Sequence, residues 1–448
     1  PTRRSSDLAV AGTGQSMFLN LDALHTLKAL CWRAWALVFY PVNWDRPPGP
    51  LLGLALEGVG SAGTEALATA ACHHFEVLRQ ADGLYATLPL NPGMVGWPVE
   101  QGQQQVEGPH PEPPGPTRSM IGSSVACPLT VSVISFAATV FSIRYMKRYS
   151  SKGLYYSLFF LMLSGMNGVI LTGDLFNLFV FMEIAAIASY GLVAFGCESE
   201  ELEASFKYLV LGTVASTFVL FGIGILYNLT GTLNMAQIAR AMPSLKDNSA
   251  LILVSAFFFL GFGLKSAMVP FHAWLPDAHP SAPAPISAML SGVFIKASGV
   301  YVLCRLVFNV LGVSLLMAQV LMILGAMSMI IGVLLAVGQW DFKRLLAYHS
   351  ISQMGYVVLA VGVGGEVLAK GGNHAVAALA LFAGLFHLIN HAAFKSLLFL
   401  CSGSIEHETG TRQLKDLGGL CRNMPLTSAC CRIASLSIAG VPPFNGFW

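Results

Sequence analysis

From Ala126 onward, apolar stretches of about 20 residues recur, joined by short polar or glycine-bearing segments. At 1.5 Å of rise per residue a helix of that length crosses a hydrocarbon core of about 30 Å. The pattern predicts spans near 126–146, 153–171, 173–197, 204–227, 250–271, 284–310, 314–338, 345–364, 375–402 and 426–448, about ten with the last incomplete. The fold class expected is therefore an all-α integral membrane bundle. Between Leu229 and Asn248 the mixed segment TGTLNMAQIARAMPSLKDN suits a helix lying along the surface. Two spans carry prolines beyond their first turn. Lys265 lies well inside the 250–271 run, Pro270 follows five residues later, and a proline-rich turn with Pro276 comes next, while Pro442 and Pro443 interrupt the last run. Proline removes a backbone donor and clashes with the preceding turn, so helix breaks are expected at Pro270, Pro276, Pro442 and Pro443. Irregular backbone at membrane depth persists only inside protein or beside a wet cavity.

Residues 1–118 do not share this pattern. They mix short apolar pieces with many prolines and glycines, and QGQQQVEGPHPEPPGPTR, from Gln101 to Arg118, reads as an unstructured linker. The expected organisation is a poorly ordered or artefactual region over 1–118, its opening PTRRSSDL resembling a translated adaptor, followed by a membrane domain over 119–448.

Composition agrees with the pattern: 54% of the 448 residues are hydrophobic and only 11% charged, against about 25% charged in soluble domains. Lysines and arginines are scattered singly, so no basic patch supports nucleic-acid binding. Nine cysteines occur without a C-x-x-C pair, which leaves no expected iron–sulfur cluster, haem or structural zinc, and no cofactor is assigned. Nine loop cations (Arg144, Lys147, Arg148, Lys152, Lys343, Arg344, Arg412, Lys415 and Arg422) fall on one side, and three (Arg240, Lys246 and Lys370) on the other. The positive-inside rule puts the first set in the cytoplasm. A weak internal echo pairs F-K-x-L at Phe206–Leu209 with the same pattern at Phe394–Leu397, followed by Gly212 and Gly403, and suggests a chain built from two repeats.

The apolar spans contain ionisable residues, which are costly at that depth and by default mark an ion path. Glu183, Lys207, Lys265, Lys296, His387, His391 and Lys395 form the candidate proton pathway. His387, His391 and Lys395 are spaced by four, so all three project from one helical face, a stripe of about 12 Å. Lys207 follows the acidic run CESEELEA closely and could instead sit at a helix end, reaching the interface. His272 and His279 flank the broken segment, either as path members or as turn residues bonded to backbone.

TGDLFNLFVFMEIAAIASY, KYLVLG, KSAMVPFHAWLPDAHPSAPAPISAMLSGVFIKASGVY, and HLINHAAFKSLLFL followed by AGVPPFNGFW together resemble the antiporter-like membrane subunit family. That family comprises the proton-pumping subunits of respiratory complex I, their relatives in membrane-bound hydrogenases, and the large subunits of multi-subunit cation/proton antiporters. The resemblance covers about 126–448. It implies about fourteen helices in two inverted five-helix repeats, and proton translocation without redox centres in the chain itself. It implies that Glu183 modulates a first key lysine, Lys265, on the broken helix. Lys296 is then the connecting lysine, with His387, His391 and Lys395 on the central hydrophilic axis. Implied partners are other membrane subunits, protons or sodium ions, and the bilayer of a prokaryotic plasma membrane. The family's first two helices have no counterpart in 1–118, and the sequence ends at Trp448, before the family's terminal proton-exchanging residue.

Overall fold

The computed structural model describes residues 117–245 and 248–447, with side chains from Cys127 onward. The reading of residues 1–116 therefore lies outside the described residues. Among the latter, eight helices are long and apolar enough to cross a membrane. In chain order the helices are α1 (Thr117–Tyr145), α2 (Lys152–Leu171), α3 (Leu175–Val193), α4 (Ser199–Thr230), the surface helix α5 (Met235–Leu245) and α6 (Ala250–Lys265). The short α7 (Leu275–Ser281) comes next, then α8 (Ala284–Leu311), α9 (Leu315–Val337), α10 (Phe342–Ala369), α11 (His374–Thr409) and α12 (Pro425–Ile438). The helix from Thr117 takes in the last two residues of the expected linker.

Eight uninterrupted helices stand for eight of the ten expected spans, and the other two, at α6 and α12, are broken. α6 stops at Lys265, and residues 266–274 run irregularly before α7 resumes. α12 stops at Ile438, after which Gly440 takes a φ of +69° and Pro442-Pro443 prevent any continuation. Each half-helix is too short to cross alone. Pro276 corrects the expectation that it breaks a helix: it occupies the first turn of α7, where a missing N–H costs nothing because that donor would be unpaired anyway.

α8 is the axis of the bundle. Its most apolar stretch is wholly buried, whereas the corresponding shares of the other spans run from 28% to 61%. Outer helices turn leucine, valine and phenylalanine outward, as at Leu334, Val337, Leu379 and Phe382. Lipid offers no hydrophobic gain for such helices, so close backbone packing must hold them together. α9 and α10 show how: a Cβ built on Gly325 would lie 2.6 Å from the Leu359 amide nitrogen, and one on Gly332 2.6 Å from that of Ser352.

The two halves repeat, though not where the sequence echo suggested. Asp174 caps α3 by accepting from the Phe176 and Asn177 amides, at 2.9 Å each, and Asp341 caps α10 by accepting from Arg344 at 3.0 Å. Each cap is clamped by a single antiparallel bridge to the segment after the next helix, Asp174 to Asn234 and Asp341 to Gln413. The clamps match bond for bond. Leu175 N–H donates to Leu233 O and Met235 N–H to Gly173 O; Phe342 N–H donates to Arg412 O and Leu414 N–H to Trp340 O. The closing turns are Thr230-Gly231-Thr232 and Thr409-Gly410-Thr411, with glycine φ of +68° and +71°. This register sets Lys207 far from the position equivalent to Lys395, because Lys207 is near the start of α4 whereas Lys395 is midway along α11. The F-K-x-L echo is thus not the repeat. Five crossings separate the starts of α3 and α10, counting α6 and α7 as one. The clamps therefore lie on opposite faces and the halves are inverted.

Candidate functional site

The site begins where α6 breaks. Lys265 ends that helix, at the negative end of its dipole, where an ammonium is favoured. The lysine is buried, and its Nζ lies 3.4 Å from Oε1 of Glu183 on α3, whose side chain is 28% exposed. Ser216 of α4 donates to the same Glu183 oxygen. The break itself is held by protein donors and acceptors: Trp274 Nε1 donates to Leu264 O and the Val269 amide to Ser328 Oγ, both at 2.9 Å. Loose backbone beside a buried ion pair would otherwise be unsatisfied at this depth.

Ser266, next to the lysine, abuts α8 so closely that a Cβ on Gly299 would lie 2.9 Å from Ser266 Cα. One turn back on α8 is Lys296, buried, its Nζ donating to Ser291 O. α8 is locally wound with i→i+5 bonds through Leu290–Phe294 and Lys296–Tyr301, a widening frequent at functional sites. Across from α8 stands the inward face of α11. His387 Nε2 and Gln353 Oε1 are 2.7 Å apart. His391 and Lys395 are fully buried, and neither ring nitrogen of His391 nor Nζ of Lys395 has a hydrogen-bond partner among the described residues. Lys296, His387, His391, His349 and Lys395 lie near enough for their charges to act on one another. The second break docks beside them: Asn390 Nδ2 donates to Asn445 O and Asn445 Nδ2 to Asn390 Oδ1, each at 3.0 Å.

The structure thus gathers Glu183 with Lys265, and Lys296 with His387, His391 and Lys395. It does not bring Lys207 to them. That lysine is 47% exposed and pairs with Glu203 at 2.8 Å and Asp277 at 3.1 Å, a helix-end position that removes it from the buried set. His272 is half-buried at the break, and its Nδ1 has no hydrogen-bond partner among the described residues. His279 is wholly buried, and neither of its ring nitrogens has a hydrogen-bond partner among the described residues, so it is not a turn residue bonded to backbone there.

Sequence reasoning missed one buried pair. Lys343, read as a loop cation, is buried with Nζ 3.3 Å from Glu406 Oε2 and 3.0 Å from Ala282 O. The sign of the loop-charge balance survives its removal. Glu406 also approaches Arg412, 3.7 Å away, and Arg412 is anchored by Asp341 at 2.5 Å. Its signal was in the stripe: Glu406 is eleven residues, three turns, beyond Lys395 and so on the same face. Among the described residues no three His, Cys, Asp or Glu side chains are gathered to hold a metal.

The profile of the NADH:quinone oxidoreductase/Mrp antiporter transmembrane family matches residues 172–448. The chain belongs to that family. It is 39% identical over 323 residues to the N-type subunit of NADH-quinone oxidoreductase from Desulforudis audaxviator and 35% identical over 323 residues to the D-type subunit of the Na(+)/H(+) antiporter from Alkalihalophilus pseudofirmus. Each match covers 71% of this chain and 62% of the relative, so the chain spans less than two thirds of their length. A subunit of the membrane-bound sulfane sulfur reductase, an archaeal respiratory membrane complex, superposes with a TM-score of 0.66 at 30% identity, covering 96% of this chain and 79% of that one.

Proposed function

We propose that this family member is a proton-translocating subunit of a redox-driven complex in a prokaryotic plasma membrane, with electron transfer confined to its partner subunits. The observation that carries the reading is the buried Lys265–Glu183 pair at a helix break, continued by Lys296 and His387 and by His391 and Lys395, the last two without hydrogen-bond partners among the described residues. At 3.4 Å and an effective dielectric near 20 the pair attracts by about 5 kcal/mol. Moving one charge through 100 mV takes about 2.3 kcal/mol. Making and breaking this single pair is therefore on the scale of driving a proton against a membrane potential. A displacement imposed by a partner separates Glu183 from Lys265. The lysine then gives up its proton to the interior, and protons step by way of Lys296 to the α11 stripe.

Lys265→Ala in the complete complex, reconstituted in vesicles, is expected to abolish proton translocation while the complex still assembles. Unchanged translocation sinks the reading, and lost assembly with coupling otherwise preserved marks a structural scaffold instead. The similarity to a sodium/proton antiporter subunit supports a second reading, exchange of sodium for protons without a redox partner. A sodium gradient alone driving proton movement would favour it.

A further inference from the structure

The inward face of α11 carries a gap. His387, His391 and Lys395 follow at four-residue spacing, and Glu406 returns to the same face eleven residues on. Between Lys395 and Glu406 lie about 16 Å of helix, where the face presents Phe399 and Ser402, and Phe399 cannot carry a proton. His279 of α7 fills that place from the opposite side. Its ring centroid is 4.7 Å from that of Phe399, and its backbone oxygen accepts from Ser287 Oγ at 2.9 Å. The charges of Lys395, Lys296 and Lys343 all reach it. At the outer end the Lys343–Glu406 pair borders solvent, because the Glu406 side chain is 19% exposed.

A histidine used only as filler is a poor choice here. Leaving a buried polar group unsatisfied costs about 1–3 kcal/mol, and an apolar ring would pack against Phe399 without that cost. Leu275 and Ala278, also fully buried in α7, are apolar.

We propose that His279 is a proton relay joining the Lys343–Glu406 pair, as the loading site on the basic face, to Lys395. The proposal rests on the proton-translocating reading above. In one cycle the Lys343 ammonium gives a proton to the neutral imidazole, and the imidazolium passes one to the neutral amine of Lys395. Glu406 then restores the Lys343 proton from solvent. One proton enters and one moves on, with no other bond changed.

The test uses the complete complex in vesicles and reads protons moved per turnover, normalised to assembled complex. His279→Phe is expected to lower that ratio at least tenfold. The exchange His279→Phe with Phe399→His puts the imidazole back into the same contact and is expected to recover it to within about threefold. Because the exchange also conserves volume, a space-filling role is told apart by His279→Gln, which keeps size and polarity but cannot carry the proton. Should the phenylalanine variants fail to assemble, His279→Gln decides with the same expected loss. Normal coupling in His279→Gln, or an assembled exchange variant that stays inactive, overturns the relay. Lys265→Ala separates the two levels. If it is inactive while His279→Gln is normal, only the relay fails; if Lys265→Ala itself pumps, the wider reading fails.

Discussion

Shortening the Glu183 side chain should titrate function in steps. In the native pair Nζ and Oε1 are 3.4 Å apart, worth about 5 kcal/mol at an effective dielectric near 20. Glu183→Asp withdraws the carboxylate by about one carbon–carbon bond, 1.5 Å, which lowers the attraction by about 1.5 kcal/mol. Glu183→Gln removes the charge. Deleting one member of a buried pair costs about 3–5 kcal/mol, and the 28% exposure of the Glu183 side chain puts the loss at the lower end of that range. Each 1.36 kcal/mol is a factor of ten in rate. Partner-driven acidification of vesicles, measured per assembled complex, should therefore fall about tenfold for Glu183→Asp and at least a hundredfold for Glu183→Gln. The reasoning is refuted if the glutamine variant pumps normally. It is equally refuted if the aspartate variant is as inactive as the glutamine one while both assemble, since distance would then be irrelevant.

Other expectations are narrower. Lys207→Ala should leave translocation within a factor of two, because that lysine is half exposed and its pairs are of the surface kind, screened by solvent; a large loss would return it to the pathway. Gly325→Leu forces a side chain into the Leu359 backbone and should lower the detergent-solubilised melting temperature by several degrees, which differential scanning fluorimetry would read. Asn390→Leu removes both bonds to Asn445 and should expose the 439–447 segment to limited proteolysis, with an unchanged cleavage pattern counting against the docking. Asp341→Ala strips the α10 cap and the Arg412 anchor together. It should destabilise more than Asp174→Ala, for which about 1 kcal/mol is expected from the cap alone.

What the sequence by itself determined was whatever depends on neighbours along the chain. Span length, the breaks near Lys265 and at Pro442-Pro443, the surface helix α5 and the shared face of His387, His391 and Lys395 all follow from periodicity and proline chemistry. A charge in a long apolar run is so costly that Glu183, Lys265 and Lys296 could be named without coordinates. Tertiary structure decided which way each helix faces and what lies opposite. Lys207 and Lys343 both stand near helix ends beside polar loops, yet the first lies at the rim with Glu203 and Asp277, and the second is sealed beneath Ala282 against Glu406. That difference is set by the helices packed around them, 70 and 63 positions away. The repeat was hidden for the same reason. Its bonds join backbone groups across a turn, and backbone pairing leaves only an aspartate and a Thr-Gly-Thr in the letters.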